Sequence, residues 1–479
     1  MSSFYVENFG CRATQSDGAA IEQQFRNWGL ERAEAPGAAE WVVLNTCAVT
    51  AAAEQDARAA FRRIRRGNPE CKIVITGCYA QRAPREIAAL AGVFCVVGNS
   101  HKHNLAQIAL SEQSGRNSIG GCFVPVKALA AGEVHDPDTA NFDGWATDAG
   151  SAPVFVSDIF AHTELVAAPV FESANERTRP NLKVQDGCGN RCSFCIIPSL
   201  RGRSRSLPLD EVIHQVNQLV RGGYREVVIS GINLGRWGRD LPERDGVSEG
   251  GKLEDLVRAI LECTTLEKLR ISSVEPMDWS DSLIRLMTSA PRIAKHAHVP
   301  MQSGSDAVLR RMHRKYRPWH YGEKIEKIRR AMPTASIGAD VMVGFPGETD
   351  SEFEETRRMI ADLPFTYLHV FTFSARPGTP AASMPNPVPT SLARERNRVL
   401  RELAAEKKLA FMRSFLGRDM EAVTLASGED ASSNTEALTD NYLAMRLQGQ
   451  HDANRWVRAR VDAVEAGRLI GHILGWSHH

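Results

Sequence analysis

Two kinds of apolar pattern alternate along this chain. Runs dense in valine and isoleucine at 41–46, 72–77 and 93–98 read as parallel strands, because strands covered on both faces lose the polar alternation of a half-exposed sheet. Between them, apolar residues recur at helical spacing. Ser16 is expected to cap a helix carrying Ile21, Phe25 and Trp28 and ending at Gly29. Residues 51–66 are expected to form another, with Ala57, Phe61 and Ile64 on its buried face. The pattern predicts an open parallel α/β domain over residues 1–115.

From 116 to 178 periodicity fades and Gly, Ala, Asp and Pro accumulate, which marks a linker. Strand-like runs return over 179–415, at 182–186, 226–231, 268–273, 296–301, 337–343 and 367–373, with amphipathic helices between them. Such alternation builds right-handed βαβ units, and these six runs predict a partial (β/α)6 barrel with its chemistry at the carboxyl ends of the strands. A long helix at 391–416 precedes short alternating runs at 421–425, 442–447, 456–464 and 469–474. These predict a small antiparallel β-barrel over 416–479.

With 479 residues, 43% hydrophobic and 24% charged, the chain can bury about three cores. No apolar run is long enough to span a bilayer, and the first residues lack a basic segment followed by an apolar one, so a cytoplasmic protein without membrane contact is expected. Ten cysteines in such a chain fit metal binding in a reducing compartment better than a disulfide framework. A net charge of +1 gives no overall attraction to nucleic acid, so any RNA contact rests on local patches.

The cysteines carry the chemistry. Cys188, Cys192 and Cys195 share one short loop, where Gly187, Gly189 and Asn190 let the backbone curl until three thiolates converge. Thiolate-bound zinc and complete iron-sulfur clusters usually take four protein ligands, and no fourth follows at zinc-finger spacing, so one metal position stays open. The alternative is a zinc knot completed by a distant histidine. Cys47 and Cys78 each fall immediately after a predicted strand, and Cys11 follows the short run Phe4 to Phe9 in the same manner. Ligands of open parallel sheets bind beyond such ends, which makes a second three-thiolate site, with buried structural cysteines as the alternative. Cys71, Cys95, Cys122 and Cys263 read as small packing residues.

The spacing CxxxCxxC over Cys188–Cys195 resembles the signature of radical S-adenosylmethionine (SAM) enzymes, which implies a 4Fe-4S cluster whose open iron is chelated by SAM. Asn8-Phe9-Gly10-Cys11, Asn45-Thr46-Cys47-Ala48-Val49-Thr50 and Gly77-Cys78-Tyr79-Ala80-Gln81 resemble the N-terminal domain of the methylthiotransferases. That resemblance implies a second 4Fe-4S cluster on Cys11, Cys47 and Cys78. Thr14 stands where the family more often has asparagine. Residues 156–180 resemble the connector into the central domain, and Leu438-Thr439-Asp440-Asn441-Tyr442 resembles the RNA-binding TRAM domain. By the same resemblance Asn233, Ser273, Gln302 and Asp340 hold the methionyl and ribose parts of SAM, and Phe194 lies near its adenine. Each polar one is otherwise an ordinary capping or turn residue, and Phe194 a core residue. Residues 344–349 form a tight turn before a helix starting near Asp350.

The resemblance implies replacement of a C–H bond by C–S–CH3, for which acid and base groups alone do not suffice. The cluster on Cys188, Cys192 and Cys195 would reduce SAM to give a 5'-deoxyadenosyl radical, with flavodoxin or ferredoxin as the kind of reductant required. The other cluster would provide the sulfur, methylated by a second SAM. The motifs resemble most the branch acting on threonylcarbamoyladenosine at position 37 of tRNA. Isopentenyladenosine in tRNA, a ribosomal-protein aspartate and a non-enzymatic iron-sulfur RNA-binding module are the rival readings. Arg201, Arg203 and Arg205 are candidate RNA contacts, with pairing to carboxylates as the alternative. Arg446, Arg455, Arg458 and Arg460 are further candidates, as are Arg62, Arg63, Arg65 and Arg66. The residues leave the oligomeric state open.

Overall fold

The computed structural model describes residues 2–113, 151–162, 165, 178–244, 247, 248, 251–426 and 434–476. It divides into two compact units, one of Met1–Val166 with Ile197–Arg203 and the other of Ala167–Ile196 with Ser204–His479.

The first unit is a parallel sheet. Its strands are β1 (Ser3–Asn8), β2 (Glu31–Arg32), β3 (Trp41–Thr46), β4 (Lys72–Gly77), β5 (Val93–Gly98) and β6 (Val154–Phe155), in the order β2-β1-β3-β4-β5-β6. The three valine-rich runs form strands at the expected bounds, and every residue of β3 is buried. One face packs Phe4, Ile21, Phe25, Trp41 and Val97 into a core. Two details differ from expectation. The first helix spans Arg12–Asn27, with Cys11 at its N-cap position and Ser16 inside it, fully buried. Trp28 falls at the C-cap and is 55% exposed, because the helix ends before its ring can turn inward. Strand β6, in the stretch read as linker, joins the sheet beside β5. Cys122 lies outside the described residues.

The second unit holds six parallel strands in chain order: β7 (Asn181–Asp186), β9 (Glu226–Gly231), β12 (Lys268–Ile271), β13 (His296–His298), β14 (Ser336–Val343) and β15 (Tyr367–Thr372). Isolated bridges Leu269–Ile293 and Ser273–His298 join the β12 and β13 edges. The short strand β8 (Arg205–Ser206) pairs antiparallel with β7, and β10 (Glu243–Arg244) and β11 (Val247–Ser248) form a hairpin. Strands β12 and β13 are shorter than expected: their ladders end at Ile271 and His298, and Ser273 and Gln302 beyond them make only isolated bridges.

A helix at Thr390–Arg413 leads into a closed barrel of β16 (Asp419–Thr424), β17 (Asn434–Thr439), β18 (Ala444–Gln448), β19 (Trp456–Glu465) and β20 (Arg468–Trp476). The barrel is not wholly antiparallel, because β18 pairs parallel with β20. Sequence periodicity missed β17. Its inward residues are Thr435, Ala437 and Thr439, too weakly apolar to mark a two-residue period. Lys268 pairs with Glu421 at 3.0 Å, and Arg270, itself held by the fully buried Glu226 at 2.6 Å, donates to the carbonyl of Asp440 at 3.0 Å, so β12 is tied to this barrel through both side chains.

Candidate metal centres and cofactor residues

The strand order 2-1-3-4-5 reverses direction between β1 and β3, and such a switch point opens a crevice at the carboxyl ends of the strands. Cys11 follows β1, Cys47 follows β3 and Cys78 follows β4, with Thr46 and Gly77 in register so that the latter two cysteines leave the sheet at one level. Gly10 has φ +101°, and a Cβ there would stand 2.5 Å from Cys47 Cβ and 2.8 Å from its Sγ. Only glycine lets this loop close over Cys47. Gly77, at φ +97°, passes as closely over Thr46 and starts the helix Cys78–Arg82.

Burial pushes the Cys47 thiol up to about 11, and the neighbouring Cys78 and Cys11 push the same way, while Arg201 acts against them. Three thiolates in this crevice therefore need positive charge. A buried network beside them carries it. Asp17 accepts from Lys102 at 3.0 Å and from Arg201 at 2.9 Å, and Lys102 also donates to Asn45 Oδ1 at 3.2 Å. Asn99 Nδ2 stands 3.5 Å from Cys78 Sγ, and Thr14 Oγ1 stands 3.6 Å from Cys11 Sγ. N–H groups aimed at sulfur tune iron-sulfur clusters. The donor set, soft thiolates with buried cations beside them, fits an iron-sulfur cluster. Arg201 is therefore not presented to RNA phosphates: it is 2% exposed and committed to Asp17.

In the second unit the loop after β7 carries the other three cysteines, all half-buried. Gln185, at the end of β7, organises the loop. Its Nε2 donates to the carbonyls of Asp186 and Gly187 and to Ser204 Oγ, and its Oε1 accepts from Asn233 N at 2.7 Å. Gly187 takes φ +72°. Cys188 Sγ receives Asn190 N at 3.4 Å and Asn233 Nδ2 at 3.6 Å, and Cys192 Sγ receives Arg314 Nη1 at 3.3 Å. Burial raises the Cys188 thiol, and Cys192 adds to that. Arg314 also pairs with Glu275, and Ser193 anchors the loop through Arg311 O at 2.7 Å. A single ion bound at about 2.3 Å would draw three sulfurs within about 4 Å of each other. Among the described residues, however, only His298, Asp340 and His369 bring three ligand atoms within 4.8 Å, so neither cysteine set has single-ion spacing. Three thiolates with N–H groups aimed at two of them suit an iron-sulfur cluster here as well.

Of the residues expected at SAM, Phe194 lies in this loop and Asn233 beside it. Asn233 is buried beside Cys188, and its Oδ1 has no hydrogen-bond partner. Gln302 takes φ +63° and bridges to Val341. Phe194 packs with Val308, Met312 and Phe345, the core alternative for that ring. Ser273 is engaged with His298, and Asp340 lies between His298 and His369. Burial would raise the Asp340 carboxyl, yet the two imidazoles hold it well below the ordinary value. The turn at 344–349 closes through Glu348, which accepts from Gly344 N and Arg396, before the helix Asp350–Asp362.

Arg203 is exposed and Arg205 half-buried. Arg446 pairs with Glu436 and Arg460 with Asp419, while Arg455 and Arg458 are exposed. Arg63 pairs with Glu7, and Arg65 turns back onto the carbonyls of Pro69 and Cys71. Cys71 and Cys95 are buried, as packing residues should be, but Cys263 is exposed at the end of its helix. Arg314, His298 and His369 escaped sequence reading, because only tertiary contact brings them to the loop or to Asp340, whereas Gln185 adjoins the loop in sequence and only its side-chain bonds had to come from the structure.

The radical SAM superfamily profile matches residues 182–360, and one described as Uncharacterized protein family UPF0004 matches residues 3–98. Threonylcarbamoyladenosine tRNA methylthiotransferase MtaB of Bacillus subtilis is 34% identical over 94% of this chain and 92% of its own length. The MtaB of Aquifex aeolicus is 32% identical over 95% of this chain and 99% of its own. This chain belongs to the radical SAM methylthiotransferase family. A sister member, tRNA-2-methylthio-N(6)-dimethylallyladenosine synthase of Thermobifida fusca, is 31% identical over 96% of the chain and 83% of its own length. Among solved structures, the radical SAM methyltransferase TsrM of Kitasatospora setae shares the fold, with a TM-score of 0.54 and 14% identity over 80% of this chain and 77% of its own. Membership brings SAM and 4Fe-4S clusters as cofactors. Among the described residues no helix is long and apolar enough to cross a membrane.

Proposed function

We propose that this methylthiotransferase acts on N6-threonylcarbamoyladenosine at position 37 of tRNA, converting its C2–H to C2–S–CH3. The observation that carries the reading is the pair of three-cysteine sets, Cys11/Cys47/Cys78 and Cys188/Cys192/Cys195, each beyond the carboxyl ends of a parallel sheet and each one ligand short. The relatives named for threonylcarbamoyladenosine, matched over nearly their whole length, favour that base.

Bound clusters and SAM supply one-electron chemistry, a sulfur and a methyl group. The chain's own residues set where this happens. Cys188, Cys192 and Cys195 hold the radical-generating cluster, and Gln185 and Arg314 fix their loop. Cys11, Cys47 and Cys78 hold the sulfur-delivering cluster, with Lys102 and Arg201 offsetting thiolate charge. Asn233, with its unpartnered buried oxygen, is the first candidate to bind SAM. Arg203, Arg455 and Arg458 are exposed arginines available to tRNA phosphates, so binding should weaken steeply with added salt. An electron donor of the flavodoxin or ferredoxin kind completes the cycle.

The test is nucleoside analysis of tRNA from cells with and without the gene. Loss of 2-methylthio-threonylcarbamoyladenosine with retention of its unthiolated parent is expected. Loss of the methylthiolated isopentenyl nucleoside alone would move the chain to the sister branch. Loss of neither, with a changed ribosomal-protein mass, would reject a tRNA substrate.

A further inference from the structure

The three strands β13, β14 and β15 bring together a group that uses no cysteine. Asp340 and His369 are register partners on β14 and β15, and His298 on β13 pairs with Gly338, two residues before Asp340 and so on the same face. His298 Nε2 stands 3.4 Å from Asp340 Oδ1, and His369 Nδ1 stands 3.3 Å from the same oxygen. As hydrogen bonds to a carboxylate these are long, since charge-assisted ones run at about 2.7–2.9 Å. As edges of a coordination shell they fit. Ligands at about 2.0–2.1 Å from one ion at tetrahedral angles lie about 3.3 Å apart. We propose that His298, Asp340 and His369 bind a divalent first-row transition-metal ion.

Four further observations support the site. The His298 side chain is only 8% exposed, and its Nε2 is a buried nitrogen without a hydrogen-bond partner. The other ring nitrogen, Nδ1, is bonded to Ser273 Oγ, which fixes the ring and leaves Nε2 for a ligand, the arrangement that commonly orients metal-binding histidines. Tyr367 stacks at 6.0 Å on His298 and 5.4 Å from His369, and it has room because residue 338 is glycine: a Cβ there would stand 2.1 Å from the Tyr367 ring. His369 is 55% exposed, which gives the ion a way in. Two imidazoles and one carboxylate select zinc, iron(II), cobalt or nickel over magnesium or calcium, and they leave coordination positions open. Asp340 then serves as a metal ligand rather than a ribose contact.

The test uses the full chain with its clusters reconstituted anaerobically, freed of loose metal and then titrated with Zn2+. After gel filtration the wild type should retain about one zinc per chain beyond its iron, since the three protein ligands form one site with water in the open position. His298→Gln, Asp340→Asn and His369→Gln should each bind zinc at least about tenfold more weakly, with iron and sulfide contents unchanged. His369 is the exposed member, so His369→Gln keeps the test sound if the buried variants fold poorly. Zinc-edge X-ray absorption should show nitrogen and oxygen neighbours near 2.0 Å and no sulfur near 2.3 Å. Failure of the wild type to retain zinc, retention by His369→Gln at the wild-type level, or sulfur scattering would each overturn the proposal.

Discussion

Two cysteine sets of the same size are built in opposite ways. Cys188, Cys192 and Cys195 come from one loop, held by Gln185 at the strand end and by N–H groups on two of the sulfurs. Cys11, Cys47 and Cys78 come from three strand ends, meet because the sheet reverses at β1 and β3, and sit beside buried cations. The loop set depends on local turns and its neighbours. The strand-end set depends on the whole sheet, so damage far along the chain should reach it.

Removing ligands gives the largest effects and separates the two sets. Cys192→Ala should reduce 5'-deoxyadenosine formation to background, whereas Cys47→Ala should spare much of it and eliminate methylthiolated product. Chromatography of both products from the reduced enzyme reads this directly. Persistent 5'-deoxyadenosine in Cys192→Ala would reverse the roles given to the two sets.

Next comes the buried network that serves only the strand-end set. Asp17→Asn leaves Lys102 and Arg201 without their shared carboxylate, which should cost the first unit about 3–5 kcal/mol. Denaturant unfolding should show that loss, together with selective loss of iron from the strand-end cluster. Gly10→Ala is smaller. It places a Cβ against Cys47 at positive φ, and backbone strain of this kind costs about 1–3 kcal/mol. Mössbauer spectra should then show one cluster depleted and the other intact. Equal depletion of both would mean that the two sets are not independent.

The smallest effect falls on the loop set. Arg314→Met removes the N–H that reaches Cys192 Sγ, and loss of such an outer partner weakens metal retention by about tenfold or somewhat more. Competition with a chelator should show faster iron loss from this cluster only.

The same contrast explains what the sequence disclosed. The loop set was legible because spacing and turn residues lie side by side in the chain. The strand-end set needed the strands first, and 41–46 and 72–77 could be read because they are buried on both faces. Where burial falls on weak signals the reading failed, as with Thr435, Ala437 and Thr439 in β17 or with Ser16, whose hydroxyl suggested a cap but which lies inside the helix. Arg201 misled for a related reason. Its neighbours Arg203 and Arg205 suggest a basic surface, but its partner Asp17 lies 184 positions away. Nor does local sequence relate His298 to His369, whose rings lie 5.4 Å apart beside Asp340 on the strand between them.

The claim of two independent centres is tested most directly by iron and sulfide analysis of anaerobically reconstituted protein, comparing the wild type with a variant in which Cys11, Cys47 and Cys78 are all alanine. Two four-iron clusters predict about eight iron and eight sulfide per wild-type chain and about four of each in the variant. About four of each in both proteins would contradict it.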